Sequence, residues 1–154
     1  MEGTIQTQPA ATPVIHALRN IGYKGQTAIA DIIDNSIDAN ANLIELVFEY
    51  KNGDGYIFIK DNGTGMNGAE LQRAMTIGSK DPRETRGKSE LGRFGMGLKT
   101  ASFSLGKRLS VISKQNGVLS ERCWDLDLVS KHNKWYLYEK IPDSIKSHLP
   151  DIEG

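Results

Sequence analysis

A chain of 154 residues with 38% hydrophobic and 25% charged residues is long enough to bury a core as one domain. Its formal net charge of zero argues against a general nucleic-acid or membrane-surface binder, and its single cysteine excludes an intramolecular disulfide and a thiolate-rich zinc site. No apolar run reaches the ~20 residues of a membrane-spanning helix, and no signal-peptide pattern is present. We therefore expect a reducing, cytoplasmic location and no membrane partner.

The N-terminal segment, residues 1–12, is polar and is expected to be a flexible arm. Thr12 and Pro13 are typical of an N-cap and a first helical turn, and they predict a short helix through Ile21. Residues 13–154 are then expected to form one domain.

The next helix, predicted over Ala28–Ala39, has two contrasting sides. Its apolar side is predicted to face the core and consists of Ile29, Ile32, Ile33 and Ile37. Asp31, Asn35 and Asp38 follow each other at i, i+4 and i+7 on the other side. No Lys or Arg occurs between residues 26 and 50 to balance these carboxylates. Such a stripe suits a hard metal ion and a positioned water, with an ordinary solvated face as the alternative.

Two alternating, β-rich segments follow, Leu43–Tyr50 and Tyr56–Lys60, and the Asn-Gly-Asp-Gly sequence between them predicts a hairpin turn. The second strand leads into a glycine loop, Asp61–Met66. A helix is predicted over Ala69–Met75, and Asn67 is its candidate cap.

The segment Ile77–Leu91 has no periodicity and mixes both charge signs, which is typical of a lid or binding loop. A second glycine loop, residues 92–97, opens a helix over Leu98–Leu105. The remaining predicted elements are three strands and a short helix: Arg108–Lys114, Val118–Val129, Lys134–Glu139 and Pro142–His148. This order predicts an α+β fold, a two-layer sandwich of helices on one face of a mainly antiparallel mixed sheet.

The sequence GTGMNG at Gly63–Gly68 matches the dinucleotide fingerprint G-x-G-x-x-G, so a NAD-binding domain is a competing interpretation. The strand before it is the second arm of a hairpin, whereas the fingerprint belongs in a βαβ unit. The helix after it leads into the charged segment, and no acidic residue ends a following strand to bind a ribose. These features disfavour the NAD interpretation.

The two glycine loops offer a different set of contacts. Asp61 at a strand end can accept a hydrogen bond from an exocyclic amine, Gly63 and Gly65 permit close approach to a flat ring, and Met66 adds an apolar wall. The second loop ends at a helix start, where free N–H groups and the helix dipole favour phosphate. Together with a metal ion on the helix predicted over Ala28–Ala39, these contacts fit a purine nucleoside triphosphate.

Three segments in this order resemble the N, G1 and G2 boxes of the GHKL ATPase superfamily: AIADIIDNSIDA, DNGTGM and LGRFGMGLKTAS. That superfamily includes gyrase-type topoisomerases, the ninety-kilodalton heat-shock chaperones, histidine kinases and MutL proteins. The microrchidia (MORC)-like branch and its prokaryotic relatives are the most similar. The resemblance runs from about residue 22 to residue 114, and it implies a Bergerat-type ATP-binding fold.

The resemblance also implies roles for individual residues, with ATP or ADP and Mg²⁺ as ligands. Asn35 would bind Mg²⁺, and Asp61 would bind the adenine amino group. Gly63, Gly65, Met66 and Ala39 would lie beside the base. The residues expected around the phosphates are Gly92, Gly95, Met96, Gly97, Lys99 and Thr100. Ser79 and Lys80 match a lid pair of some relatives, with a solvated loop lysine as the alternative.

Two departures from the family pattern bear on activity. Hydrolysing members usually carry Glu where this chain has Asp31, the expected base, and a displacement of ~1 Å can cost ~100-fold in rate. We therefore expect slow or conditional ATP hydrolysis. The 154 residues contain no later strand with the Gly-Thr pair of the family, and no further domain with the lysine that reaches the γ-phosphate. Downstream domains of a longer protein are therefore expected.

The expected partners follow from the same resemblance. Lid closure in such proteins commonly creates a dimer surface, so an ATP-dependent homodimer is expected, and no nucleic-acid contact is evident in this domain. Two alternatives to hydrolysis remain: a nucleotide-binding switch without turnover, and phosphotransfer to a histidine of a partner, as in sensor kinases.

Overall fold

The described part of the chain consists of helices and hairpins in alternating blocks. A computed structural model of the protein describes residues 3–21, 24–78 and 97–147. Its elements, in chain order, are α1 (Ala11–Arg19), α2 (Gly25–Asp38), β1 (Ile44–Lys51), β2 (Asp54–Asp61), α3 (Gly68–Met75), α4 (Gly97–Leu105), β3 (Arg108–Gln115), β4 (Val118–Asp125), α5 (Leu126–His132), β5 (Leu137–Tyr138) and α6 (Asp143–Lys146). This content confirms the predicted α+β class.

The strands lie in two antiparallel sheets. β1 and β2 form a hairpin in which Phe48 is opposite Ile57. The second sheet has the order β3-β4-β5, with Leu109 opposite Trp124 and Cys123 opposite Tyr138. The sequence predicts one mixed sheet, whereas in residues 3–21, 24–78 and 97–147 the strands divide between two sheets without a parallel pair. A local turn is enough to pair the two strands of each hairpin. A single sheet would also need backbone hydrogen bonds between a strand of one hairpin and a strand of the other.

The predicted turn between β1 and β2 is confirmed, and a second Asn-Gly turn joins β3 to β4. Asn52 and Gly53 have φ angles of 55° and 91°, and Asn116 and Gly117 have φ angles of 51° and 79°. Positive φ at both central residues is the geometry of a type I′ turn, whose twist matches that of the flanking strands. The Asn-Gly pairs therefore determine the registers of β1–β2 and β3–β4.

The core lies between the second sheet and helices α1, α3, α4 and α5. Its buried members are Ala11, Ile15, Leu71, Met75, Phe103, Trp124, Leu126 and Val129. The Trp124 ring meets Phe103 and Trp135 edge to face, with centroids 6.4 Å apart in both pairs. The Trp124 indole N–H donates to the Met75 carbonyl at 2.9 Å, which ties the end of α3 to β4.

The ends of two helices test the capping predictions. Asn67 is confirmed as the cap of α3: its side chain accepts from the Ala69 and Glu70 amides, and the Glu70 carboxylate accepts from the Asn67 amide. The prediction for Thr12 is wrong, because α1 begins at Ala11 and has no side-chain cap. The Thr12 amide instead donates to the Asn133 side chain at 3.0 Å, which attaches the start of α1 to the end of α5.

The strand predicted over Val118–Val129 is wrong beyond Asp125, where helix α5 begins. The Asp125 carboxylate accepts hydrogen bonds from the Asp127 and Leu128 amides and so caps the new helix. Leu126 and Val129, three residues apart, are the buried positions of α5, which is a helical spacing. The strand predicted over Lys134–Glu139 is shortened to two paired residues, Leu137 and Tyr138, which pair with β4.

The burial of α2 also differs from the prediction. Ala28 and Ser36 are its buried residues, whereas Ile29, Ile32 and Ile33 are partly buried and Ile37 is 56% exposed. The helix packs against α4. Small side chains reach full burial where two backbones approach closely, and the larger isoleucines flank that contact. The expectation of an isoleucine core face is therefore only partly met.

The β1–β2 hairpin contributes little to the core. Leu46, Phe48, Tyr50 and Ile57 share one face of this hairpin and are all exposed, Phe48 by 62%. Within the described ranges, no helix has the length and apolar character needed to cross a membrane.

Candidate functional site

Asp61, the last residue of β2, is held by two hydrogen bonds. The Ser36 hydroxyl of α2 donates to Oδ2 at 2.8 Å, and the Gly63 amide donates to Oδ1 at 2.9 Å. An ionised carboxylate has about four lone-pair positions. Among the described residues these two bonds use two of them, so the others remain available to a donor on a ligand.

The loop after Asp61 packs against the C-terminal end of α2. The Thr64 amide donates to the Ala39 carbonyl at 2.9 Å. A Cβ built on Gly63 would lie 2.8 Å from both the Cβ and the carbonyl oxygen of Ala39. The structure therefore brings Ala39, Asp61 and Gly63 together, as the sequence predicts for the base-binding end of the site.

Strand β3 holds the other end of the same loop. Gly65 has a φ of +67°, and a Cβ there would lie 2.1 Å from the Lys114 carbonyl oxygen. The Met66 amide donates to the Ser113 hydroxyl at 2.7 Å, and the Gln115 side chain donates to the Gly65 carbonyl at 3.2 Å.

These contacts correct the reason given for the two glycines. The sequence assigns Gly63 and Gly65 to close approach of a flat ring. In the structure, the space that their missing side chains leave is occupied by Ala39 and by the backbone of β3. Their role in the described residues is to let the loop pack between α2 and β3.

Asp31 and Asn35 lie one turn apart on α2. The Asn35 side-chain amide donates to the Asp31 carbonyl at 2.8 Å, which orients the amide along the helix. Asn35 is exposed, and no described hydrogen bond uses its amide oxygen, which is a suitable Mg²⁺ ligand. Within the described ranges, no cluster of three His, Cys, Asp or Glu residues could hold a metal by itself.

The first turn of α4 begins at Gly97 and carries no acidic residue. A Cβ at Gly97 would meet no atom of the described residues within 4 Å, and the Thr100 hydroxyl donates to the Gly97 carbonyl at 3.4 Å. The positive end of a helix dipole fits an anion such as phosphate.

Lys99 differs from its expected place at the phosphates. Its side chain is only 2% exposed, and its ammonium donates to the carbonyls of Ala74 at 2.7 Å and Thr76 at 2.9 Å. These carbonyls lie at the C-terminal end of α3, where a cation complements the helix dipole. In the structure Lys99 joins α4 to α3.

Five candidate residues lie outside the described residues: Ser79, Lys80, Gly92, Gly95 and Met96. Three residues that hold Asp61 and the loop are not predicted from the sequence: Ser36, Ser113 and Gln115. The only sequence signal for Ser36 is a small polar residue inside an apolar helix, one position after Asn35.

Comparison with known proteins identifies the family of this chain. The family model "Histidine kinase-, DNA gyrase B-, and HSP90-like ATPase" matches residues 23–152. The ATPase morc-1 of Caenorhabditis elegans is 32% identical over 94 residues, which is 61% of this chain and 11% of that protein.

Two further relatives carry related names. Protein MICRORCHIDIA 4 of Arabidopsis thaliana is 29% identical over 92 residues, 56% of this chain and 11% of its own length. The human ATPase MORC2 is 27% identical over 96 residues, 60% of this chain and 9% of its own length. The chain thus spans about a tenth of these relatives. The resemblance to the MORC-like branch is confirmed, and the chain belongs to the family of histidine kinase-, DNA gyrase B- and HSP90-like ATPases.

Proposed function

We propose that this domain binds Mg-ATP between α2, the loop after β2 and the first turn of α4, and that it hydrolyses ATP slowly or conditionally. The observation that carries the proposal is the Asp61 carboxylate, which Ser36 and Gly63 hold beside the helix that also carries Asp31 and Asn35.

Each end of the nucleotide has candidate contacts in this chain. Asp61 would accept a hydrogen bond from the adenine amino group, and Ala39, Gly65 and Met66 would lie beside the ring. The start of α4, with Gly97 and Thr100, would bind the phosphates through backbone N–H groups. Asn35 would hold Mg²⁺, which neutralises phosphate charge when bound. Candidate phosphate contacts also come from Ser79, Lys80, Gly92, Gly95 and Met96.

Asp31 is the proposed general base that orients the attacking water. Its carboxylate is one methylene shorter than the Glu of hydrolysing relatives, so the water is held less favourably and turnover is slow. We further propose that closure of the 77–91 segment over the nucleotide creates a homodimer surface. The shorter base also favours a second candidate function, a nucleotide-binding switch without turnover.

Calorimetric titration with Mg-ADP and with the analogue Mg-AMPPNP tests nucleotide binding. Asp61→Asn is expected to weaken both affinities at least about tenfold, because the charged acceptor is lost. Asp54→Asn, at the exposed start of the same strand, is the matched control and should bind as the wild type does. Equal affinity of Asp61→Asn and the wild type would refute the base assignment.

Steady-state release of phosphate from ATP tests the role of Asp31. Asp31→Ala is expected to lower turnover about 100-fold or more while ADP affinity stays unchanged, since a general base acts in the chemical step. Asp34→Ala, on the same helix, is the control, and Asp31→Glu should be faster than the wild type. Wild-type turnover no higher than that of Asp31→Ala would favour the switch.

A further inference from the structure

Ser36 is a buried polar residue in the middle of an amphipathic helix. Its residue surface is 5% exposed. A serine inside a helix commonly donates to a carbonyl one turn earlier in its own helix. The Ser36 hydroxyl instead donates to the Asp61 carboxylate, 25 residues away in the chain.

The two bonds to Asp61 have different origins. The bond from the Gly63 amide is local, because donor and acceptor are two residues apart in one loop. It orients the carboxylate relative to that loop, which the bond from the Thr64 amide to the Ala39 carbonyl connects to the end of α2. The bond from Ser36 relates the carboxylate to α2, the helix that carries Asn35. The bond from Ser36 is therefore the direct link between the Asp61 carboxylate and the helix of Asn35, and a ligand that contacts both residues benefits from it.

We infer that Ser36 is a positioning residue for nucleobase recognition: its hydroxyl holds the Asp61 carboxylate at the position where it accepts the exocyclic amine of adenine. The inference rests on the proposed function. It adds a second residue to base selection, one that touches no part of the nucleotide and acts through Asp61.

The test compares two nucleotides that differ in one group. ATP carries the 6-amino group, and purine riboside 5′-triphosphate lacks it. Because Ser36 acts through Asp61, Ser36→Ala is expected to weaken Mg-ATP binding about tenfold and to change the affinity for the purine riboside less than about twofold. Calorimetry on the 154-residue chain measures both affinities. Combined with Asp61→Asn, Ser36→Ala should have no further effect on the ratio of the two.

Two more variants keep the test decisive. Ser102→Ala removes a hydroxyl of similar burial that has no partner among the described residues, and it should leave both affinities unchanged. Ser36→Cys is nearly isosteric and its thiol is a weak donor, so it should repeat the loss if Ser36→Ala does not fold.

The possible results separate the two levels of the proposal. An equal loss for both nucleotides, or no loss for either, in a folded Ser36 variant would overturn the role of Ser36. If the wild type bound neither nucleotide, the proposed function itself would fail, and the role of Ser36 with it.

Discussion

The ammonium group of Lys99 lies at the end of α3, between the carbonyls of Ala74 and Thr76, and is almost completely buried. A buried cation is tolerated only where oxygens replace its water, and the last carbonyls of a helix have no partners within that helix. The resemblance to the G2 box implies a place at the phosphates for this lysine. The structure shows that neutral backbone carbonyls of the protein itself accept from the ammonium group that the resemblance assigns to phosphate.

Lys99→Met is therefore expected to reduce the free energy of unfolding by about 1–3 kcal/mol, because two buried carbonyls lose a charged donor. Urea denaturation followed by circular dichroism measures this change. Lys107→Met, which breaks an exposed ion pair with Asp127, is the control and should cost less than about 0.5 kcal/mol.

The same variants also decide between the two roles of Lys99. A Lys99→Met variant that keeps wild-type stability and loses Mg-ATP affinity would show that the lysine binds phosphate after all. Loss of stability with retained affinity would agree with its place at the end of α3.

Helix α5 shows why one element was missed. The strand-type sequence before Asp125 continues in hydrophobic residues, and Leu126 and Leu128 maintain the alternation of a strand. The carboxylate of Asp125 resolves this ambiguity, because it caps the helix and also accepts a hydrogen bond from Arg108 at 3.0 Å. The alternation of hydrophobic residues does not predict this cap, because Asp125 can cap a helix only if the strand ends at this residue.

Asp125→Ala is expected to lower the free energy of unfolding by about 1–2 kcal/mol, because α5 loses its N-cap. Asp125→Asn retains a good capping side chain and loses only the charge, so it should cost clearly less. Thermal or urea denaturation compares the two variants. Equal losses would show that the ion pair with Arg108, and not the cap, is the important interaction.

Across the whole molecule, Cys123 is a single internal probe. It is the only cysteine of the chain and is completely buried in β4. Its thiol accepts a hydrogen bond from the Ser110 hydroxyl at 3.3 Å, and burial raises its pKa above the ordinary value of 9.0. Both exclusion of solvent and the low thiolate fraction slow its reaction with a disulfide reagent.

Labelling of Cys123 by a chromogenic disulfide reagent at pH 8 is expected to be about 100-fold or more slower in the native chain than in guanidinium chloride. The denatured chain under the same reagent concentration is the reference. A native rate close to the denatured rate would show that β4 opens readily in solution.

The sequence predicts the elements of the fold better than it predicts their packing. The hairpins follow from Asn-Gly turns and alternation, which act over a few residues. The family boxes make Asp61 and Asn35 candidate site residues because their chemistry depends on residue type. The isoleucines of α2 and the bonds of Ser36 and Lys99 depend instead on which elements meet, and hydrophobic periodicity does not contain that information.

The contact between the two indole rings has a consequence for optical measurements. Trp124 and Trp135 are the only tryptophans of the chain, and both lie at the second sheet. When only the tryptophans are excited, their fluorescence reports on the part of the molecule around the second sheet. It is insensitive to α2 and the β1–β2 hairpin. Far-ultraviolet circular dichroism reports on all helices and strands. Its unfolding curve therefore coincides with that of tryptophan emission only if α2 and the β1–β2 hairpin unfold together with the second sheet. Separate curves would show that this hairpin region unfolds independently.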